Sequence, residues 1–252
     1  MTARTVVVLP TYNEIDSLPV VVARLRESAP DVDILIVDDS SPDGTGDLAE
    51  LLSSRMPEVH VLHRAQKEGL GRAYIAGFGE ALSRGYDVIV QADADGSHRP
   101  EDLPALLDAV DDADVVVGSR WVGGGAVGAW STGRYLLSRA GSLYAGAMLG
   151  LRQKDITGGY RVFRAEALRS IRVDDVRSHG YCFQIETLDR AARAGFRIIE
   201  VPITFDDRLH GDSKMSVRIV VEALRQVTMW GVRRRLHGAE DTPAPAREGM
   251  RV

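Results

Sequence analysis

Five short apolar runs in the first half of the chain are separated by segments with helical periodicity. The runs cover residues 5–9, 32–37, 59–62, 88–92 and 114–117. They have the length of β-strands and the Val, Ile and Leu content of strands that are buried on both faces of a sheet. The intervening periodicity predicts helices at residues 17–28, 47–54, 73–83 and 100–111. Alternating strands and helices predict an α/β fold with a mostly parallel, Rossmann-like sheet and helices on both faces.

Each of the five runs ends in a loop that is rich in polar residues or glycine. These loops cover residues 10–14, 38–45, 63–72, 93–100 and 118–120. In a parallel sheet the carboxyl ends of the strands meet at one edge, and ligands bind beyond that edge. The sequence therefore predicts that the unusual residues of all five loops converge on a single site.

The triplet Asp93-Ala94-Asp95 follows the fourth run directly. Side chains two residues apart on an extended strand point the same way, so both carboxylates are expected to face one point. Two carboxylates and a bound phosphate are ligands that Mg²⁺ prefers, since it completes its shell with water and substrate oxygens. A solvated polar turn would give the same triplet, and the triplet alone does not separate the two interpretations.

The composition is typical of a single compact enzyme. A chain of 252 residues that is 44% hydrophobic can bury one substantial core, and we expect one domain at residues 1–236. Residues 237–252, rich in Ala, Pro and charge, are expected to form a disordered tail. Lys and Arg total 31 against 36 Asp and Glu, and the formal charge of −5 gives no support to nucleic-acid binding. The single cysteine, Cys182, excludes an internal disulfide and a cysteine-based metal cluster.

The C-terminal third contains two further helical patterns with broad apolar faces, at residues 134–151 and 216–236. These faces either pack on the sheet or lie on a membrane surface, and the basic end of the second pattern suits anionic headgroups. We expect neither a signal peptide nor a membrane span, because the chain enters a strand almost at once and its uncharged helical stretch is too short.

Two of the loop residues have a functional and a structural interpretation. Tyr12, beside Asn13 and Glu14, can stack on a nucleotide base, or it can pack against Pro10. Asp38 can accept hydrogen bonds from ribose hydroxyls, or it can cap a helix.

Eight motifs occur together and in order along the chain. They are PTYNE (10–14), VDDSSPDGT (37–45), GLGRAYIAGF (69–78), DADGSH (93–98), GSR (118–120), DITGGYR (155–161), GYCFQIE (180–186) and EVPITF (200–205). With them, residues 5–236 resemble the family 2 glycosyltransferases of the GT-A fold. Within that family the chain is most similar to the polyprenol (dolichol) monophosphate mannose synthases of actinobacterial type.

The resemblance implies a set of site residues. The guanosine part of GDP-mannose would be held by Pro10, Tyr12, Glu14, Ile36 and Asp38. The diphosphate and a Mg²⁺ or Mn²⁺ ion would be met by Asp93, Ala94 and Asp95, with Ser97, where some relatives have Gln, as a further metal ligand. The phosphate of the lipid acceptor would be surrounded by Arg120, Arg134, Ser138, Arg208 and Lys214. Those expected to act in catalysis are Asp95, Arg120, Arg208 and Lys214.

The resemblance also implies the reaction, an inverting transfer of mannose from GDP-mannose to a polyprenyl monophosphate. Such an acceptor is already anionic near neutral pH, so it needs positive charge around it rather than a general base. Two alternatives stay open: a polyprenyl-phosphate glucosyltransferase that uses UDP-glucose, and a catalytically silent nucleotide-sugar-binding partner. We expect a peripheral protein at the cytoplasmic face of the membrane, held there by the membrane surface or by a membrane-embedded partner protein.

Overall fold

The computed structural model describes residues 3–176, 178, 180–209 and 217–237. The strands in this part of the chain are β1 (Thr5–Thr11), β2 (Asp33–Asp38), β3 (Val59–His63), β4 (Val88–Gln91), β5 (Val115–Ser119), β6 (Ala126–Val127), β7 (Arg161–Arg164), β8 (Ile198–Pro202) and β9 (Thr204–Phe205). The α-helices are α1 (Leu18–Ser28), α2 (Thr45–Arg55), α3 (Leu70–Ser83), α4 (Leu103–Asp108), α5 (Thr132–Leu149), α6 (Ala165–Ser170), α7 (Tyr181–Arg193) and α8 (Val217–His237).

Seven strands form one sheet in the order β3-β2-β1-β4-β7-β5-β8. All of them are parallel except β7, which runs antiparallel to both β4 and β5. The small strands β6 and β9 pair separately, in parallel, beside this sheet. The sequence prediction of a mostly parallel sheet is confirmed, and the carboxyl ends of β1 to β5 lie along one edge.

Helices cover both faces of the sheet because the strand side chains alternate. In β1, Val7 and Leu9 pack in the core layer beneath α1 and α4, whereas Val6 and Val8 pack in the layer beneath α3 and α6. All four side chains are fully buried. This burial on both faces is the physical reason for the unbroken apolar runs in the sequence.

The predicted helix at residues 100–111 is broken into three pieces. Pro100–Asp102 and Ala109–Asp112 are 3₁₀ turns, and only Leu103–Asp108 is α-helical. Pro104 lies in the first turn of α4, where the missing N–H of proline has no partner to lose, so a new helix begins there. The apolar pattern also did not predict the short strand β7.

The predicted helices in the C-terminal third are confirmed as α5 and α8. They pack on each other and on α7 through a third core cluster that includes Ala145, Leu188 and Val227. Tyr144 and Thr228 share a hydrogen bond of 2.6 Å between these two helices. No helix among the described residues has the length and apolar content that crossing a membrane requires. His237 ends α8, and residues 238–252, where the tail is predicted, lie outside the described residues.

Candidate active site

An open cleft lies at the carboxyl edge of the sheet, above the ends of β1 and β4. The start of α3, the loop before it and the segment after β9 complete its walls. Its lining residues are Pro10, Thr11, Tyr12, Glu14, Asp39, Lys67, Leu70, Ala73, Asp93, Ala94, Asp95 and Arg208. Four of the five predicted loops therefore meet at this cleft, whereas no residue of the loop at 118–120 lines it.

The turn after β4 holds both aspartates of the triplet in fixed positions. Asp93 receives a hydrogen bond from the Tyr74 hydroxyl to Oδ1 at 2.6 Å, and its backbone N–H donates to Nδ1 of His98 at 2.9 Å. Asp95 Oδ1 accepts from the backbone N–H of Ser97 at 3.0 Å and from the Ser97 hydroxyl at 2.6 Å. Gly96 takes a positive φ of 80°, which lets the chain turn back so tightly.

A segment from the end of β9 lies across this turn. The backbone N–H of Asp206 donates to the Ser97 carbonyl at 2.9 Å, and that of Leu209 donates to the Asp95 carbonyl at 3.0 Å. Arg208 then reaches the cleft, and its Nε lies 3.0 Å from Oδ2 of Asp95. A cation from the C-terminal third of the chain therefore contacts the second aspartate of the triplet.

The residues predicted to hold the guanosine are divided between the cleft wall and the core. Pro10, Tyr12 and Glu14 line the cleft. Ile36 is fully buried in the core beneath it. Asp38 is also buried, and its carboxylate accepts hydrogen bonds from the hydroxyls of Thr11 and Ser41 at 3.1 and 2.6 Å.

Two charged residues of the cleft wall were missed by the sequence prediction. Asp39, the residue after Asp38, lines the cleft, and it forms an ion pair with Arg64. Burial raises the pKa of Asp39, and the neighbouring guanidinium opposes that rise. Lys67 lies with its Nζ 3.5 Å from the centre of the Tyr12 ring. The signals for them were the second aspartate of the VDD motif and the basic character of the loop at 63–72.

Arg120 is buried and paired with a carboxylate. Its guanidinium donates to both oxygens of Asp155 at 2.7 and 2.6 Å and to the Thr157 hydroxyl at 3.1 Å. Glu200 fixes the loop that carries Asp155, since it accepts the backbone N–H groups of Lys154 and Asp155 at 2.8 and 2.9 Å. The sequence prediction placed Arg120 at the acceptor phosphate without this partner.

Aromatic rings surround the same guanidinium. The Arg120 Cζ lies 5.3 Å from the ring centre of Trp121, 5.5 Å from that of Trp130 and 5.4 Å from that of Phe205. Arg134 stacks on Trp130 from another direction, with its Cζ 4.0 Å from the ring centre. Guanidinium groups are attracted to aromatic faces, so these contacts add to the order of the cluster.

The remaining predicted acceptor residues lie on or near α5. Arg134, in the first turn of α5, forms an ion pair with Asp207 at 3.3 Å. Ser138 lies one turn further along the same helix and is half-buried. Lys214 lies outside the described residues. The roles of Arg120, Arg134, Ser138, Arg208 and Lys214 at an acceptor stay predictions.

Comparison with protein families decides the class of this fold and cleft. A family model described as glycosyl transferase family 2 matches residues 6–172, which carry the sheet from β1 to β7 and the aspartate triplet. The chain belongs to glycosyl transferase family 2. It is therefore a glycosyltransferase, and the resemblance found in the motifs is confirmed.

Two relatives within the family match almost the whole chain. The undecaprenyl-phosphate mannosyltransferase of Micrococcus luteus is 56% identical over 235 residues, which are 93% of this chain and 97% of the relative. The polyprenol monophosphomannose synthase of Mycolicibacterium smegmatis is 52% identical over 240 residues, covering 94% of this chain and 91% of the relative.

Solved structures with the same fold are more distant in sequence. Glucosyl-3-phosphoglycerate synthase from Mycobacterium tuberculosis, in complex with Mn²⁺, UDP-glucose and phosphoglyceric acid, has a TM-score of 0.65 and 21% identity over 94% of this chain and 80% of that chain. A mannosyltransferase from Pyrobaculum calidifontis, in complex with GDP-Man and Mn²⁺, has a TM-score of 0.58 and 18% identity over 97% and 66% of the two chains. These likenesses confirm the GT-A-like architecture.

The oxygen ligands in the cleft fit a hard divalent cation. Asp93 and Asp95 both line the cleft, and every polar side-chain atom that they and Ser97 contribute is an oxygen. Among the described residues there is no group of three or more His, Cys, Asp or Glu side chains placed to hold a metal ion. That donor set suits an ion that takes its other ligands from water and a substrate diphosphate.

Proposed function

We propose that the chain transfers mannose from GDP-mannose to a polyprenyl monophosphate, with inversion at the anomeric carbon. The observation that carries the proposal is identity above half, over nearly the full length, with two enzymes whose names state mannose transfer to a polyprenyl phosphate. The cleft agrees with this assignment, because it joins a wall suited to a nucleotide with carboxylates suited to a metal-bound diphosphate.

The donor nucleotide is proposed to occupy the β1 side of the cleft. Tyr12 offers an aromatic face there, and Glu14 and Asp39 offer acceptors for the donor groups of a guanine base and ribose. Lys67, close to the Tyr12 ring, places a cation on the same wall. Asp38 shapes this wall from beneath, through its hydrogen bonds to Thr11 and Ser41.

The diphosphate is proposed to lie over the turn after β4. A Mg²⁺ or Mn²⁺ ion held by Asp93 and Asp95 would neutralise charge that develops on the departing GDP. Ser97 holds the Asp95 carboxylate by two hydrogen bonds, so it orients this ligand whether or not its own oxygen also coordinates. Arg208 supplies a second positive charge beside Asp95.

The acceptor phosphate needs electrostatic help because it must approach a second anion. Two like charges about 4 Å apart repel by about 4 kcal/mol at an effective dielectric constant of about 20. Arg208 lines the cleft, and Arg134 pairs with Asp207 on the same segment after β9, so both are proposed to offset that repulsion. A phosphate oxygen attacks in one in-line displacement, so neither a protein nucleophile nor a general base is required.

The lipid part of the acceptor is proposed to remain in a membrane against which α5 and α8 rest. Large apolar side chains on these helices are exposed, among them Leu136, Leu137, Leu143, Val221, Leu224 and Leu236. Exposed arginines accompany them at 139, 225, 233 and 235. Apolar side chains that enter the interface beside cations for anionic headgroups are the pattern of an interfacial helix.

A turnover assay with a short polyprenyl phosphate and several nucleotide sugars tests the function. We expect kcat/KM for GDP-mannose to exceed that for UDP-glucose by at least about tenfold, which is about 1.4 kcal/mol of transition-state binding. EDTA should abolish transfer, and added Mg²⁺ or Mn²⁺ should restore it. The opposite donor preference would assign a glucosyltransferase, and nucleotide binding without turnover would assign a silent partner.

A further inference from the structure

Tyr74 is a buried tyrosine directly beneath the aspartate triplet. It lies on α3 and is fully inaccessible to solvent. Its ring stacks on those of Phe78 and Phe183, with centroids 5.7 and 6.0 Å away. Its hydroxyl donates to Asp93 Oδ1 at 2.6 Å.

That hydrogen bond limits the rotation of the Asp93 carboxylate. A carboxylate on a strand end turns readily about its terminal bond, because such torsions have broad minima. Oδ1 is tied to Tyr74, and the backbone N–H of the same residue is tied to the buried His98. The main chain and one carboxylate oxygen of Asp93 are therefore both held, in a residue that lines the cleft.

Tyr74 acts on the cleft through Asp93 and not by its own contact. It is absent from the cleft lining, whereas its neighbour Ala73 is part of it. Burial, together with the charge of Asp93, raises the pKa of Tyr74 well above its ordinary value. The hydroxyl is the donor of the hydrogen bond, because the carboxylate oxygen of Asp93 can only accept.

We propose that Tyr74 is a positioning residue, which holds Asp93 in the orientation that binds a divalent cation and the donor diphosphate. The inference rests on the proposed function, since it assigns a role within the same site. Hydrogen-bond partners of metal ligands generally set ligand orientation, and their loss weakens metal affinity by about 10–100-fold.

The test is Tyr74→Phe, which removes one oxygen and keeps the ring between Phe78 and Phe183. Mn²⁺ is titrated into the protein with GDP present, and free Mn²⁺ is followed by its electron paramagnetic resonance signal. We expect the Mn²⁺ dissociation constant to rise about 10–100-fold. In transfer assays the Mn²⁺ concentration for half-maximal rate should rise in parallel, while GDP binding without metal stays unchanged.

Tyr86→Phe is the matched control. Tyr86 is also buried and also donates to a carboxylate, Asp33 Oδ2 at 2.5 Å, but neither residue lines the cleft. Both variants should lose similar thermal stability, and all titrations are made about 20 °C below the lower Tm so that unfolding does not contribute. Only Tyr74→Phe should change Mn²⁺ affinity.

Two results would overturn the inference, and they differ in what else they overturn. Equal Mn²⁺ affinity in wild type, Tyr74→Phe and Tyr86→Phe would leave the proposed function standing and refute the role of Tyr74. Failure of the wild-type protein to bind Mn²⁺ with GDP present would refute the metal site itself, and the role of Tyr74 with it.

Discussion

Replacing Arg120 by methionine is expected to destabilise the protein strongly, because Arg120 and Asp155 form a buried ion pair. The side chains of the two residues are 7% and 0% exposed, respectively. Arg120→Met keeps most of the aliphatic volume within the ring of Trp121, Trp130 and Phe205 but removes the guanidinium. Asp155 would keep its hydrogen bond of 2.9 Å from the backbone N–H of residue 120 and lose its countercharge.

The magnitude follows from leaving one charge of a buried pair without a partner, which costs about 3–5 kcal/mol. For a domain of roughly this size, 1 kcal/mol corresponds to about 2–4 °C in Tm, so we expect Tm to fall by about 6–20 °C. Urea denaturation monitored by circular dichroism gives the free energy of unfolding directly. The m-value should not change, because the surface exposed on unfolding is the same.

Arg24→Met provides the matched control on the protein surface. Arg24 also makes a two-point contact with a carboxylate, at 2.9 and 2.7 Å from Glu101, but these side chains are 28% and 53% exposed. Exposed pairs contribute about 0–1 kcal/mol, so this variant should unfold almost like the wild type. If Arg120→Met and Arg24→Met lost the same small free energy, the argument from burial of the Arg120 pair would be refuted.

Three other predictions follow from contacts described above. Arg208→Ala should lower the single-turnover rate about 10²–10³-fold and Arg208→Lys should restore part of it, since an ammonium lacks the planar two-point contact; wild-type rates in both would refute this role. Gly77→Ala should lower the free energy of unfolding, measured by urea denaturation, by about 1–3 kcal/mol, because an added Cβ would lie 2.4 Å from a methyl group of Val8 in β1. Gly79→Ala should raise it by about 0.5–1 kcal/mol, because the added Cβ would have no atom within 4 Å and alanine favours the helix. Cys182 should react slowly with a thiol reagent at pH 8 and faster as pH approaches 11, because burial raises its pKa to about 11, and rapid reaction of the folded protein at pH 8 would contradict this.

The sequence predicted the parts of the fold that follow from local periodicity. The strands that became β1 to β5 are apolar on both faces, so their runs are unbroken and easily recognised. The four residues of β7, Arg161–Arg164, are two apolar side chains between two arginines and contain no long apolar run. Its Arg161 is nevertheless fully buried, because the backbone carbonyls of Gln184 and Ile156 accept from its guanidinium at 2.6 and 2.8 Å. A buried arginine whose terminal nitrogens donate to backbone carbonyls cannot be detected from hydrophobic patterning.

The candidate site was predictable where it depended on position along a strand. Asp93 and Asp95 follow directly from their place at the end of β4. The partners that hold them, Tyr74 and His98, could not be predicted in the same way, since each depends on how a distant segment or a turn packs in three dimensions. The Asp155 partner of Arg120 is separated from it by 35 residues, and an isolated charge in the sequence does not reveal whether it is solvated or paired.

The antiparallel strand β7 separates two groups of parallel strands in the sheet that carries the cleft. The loops after β1, β2 and β4 lie on one side of this strand and line the cleft, while β5, β8 and the segments that follow them lie on the other side. The segment after β9 connects the two groups: Arg208 contacts Asp95, Asp206 makes a two-point contact with Arg99, and the backbone N–H of Leu209 donates to the Asp95 carbonyl. Because β7 runs in reverse, the cleft edge of the sheet also receives the loop that precedes this strand, residues 155–160, and that loop carries Asp155 to the guanidinium of Arg120 at the end of β5.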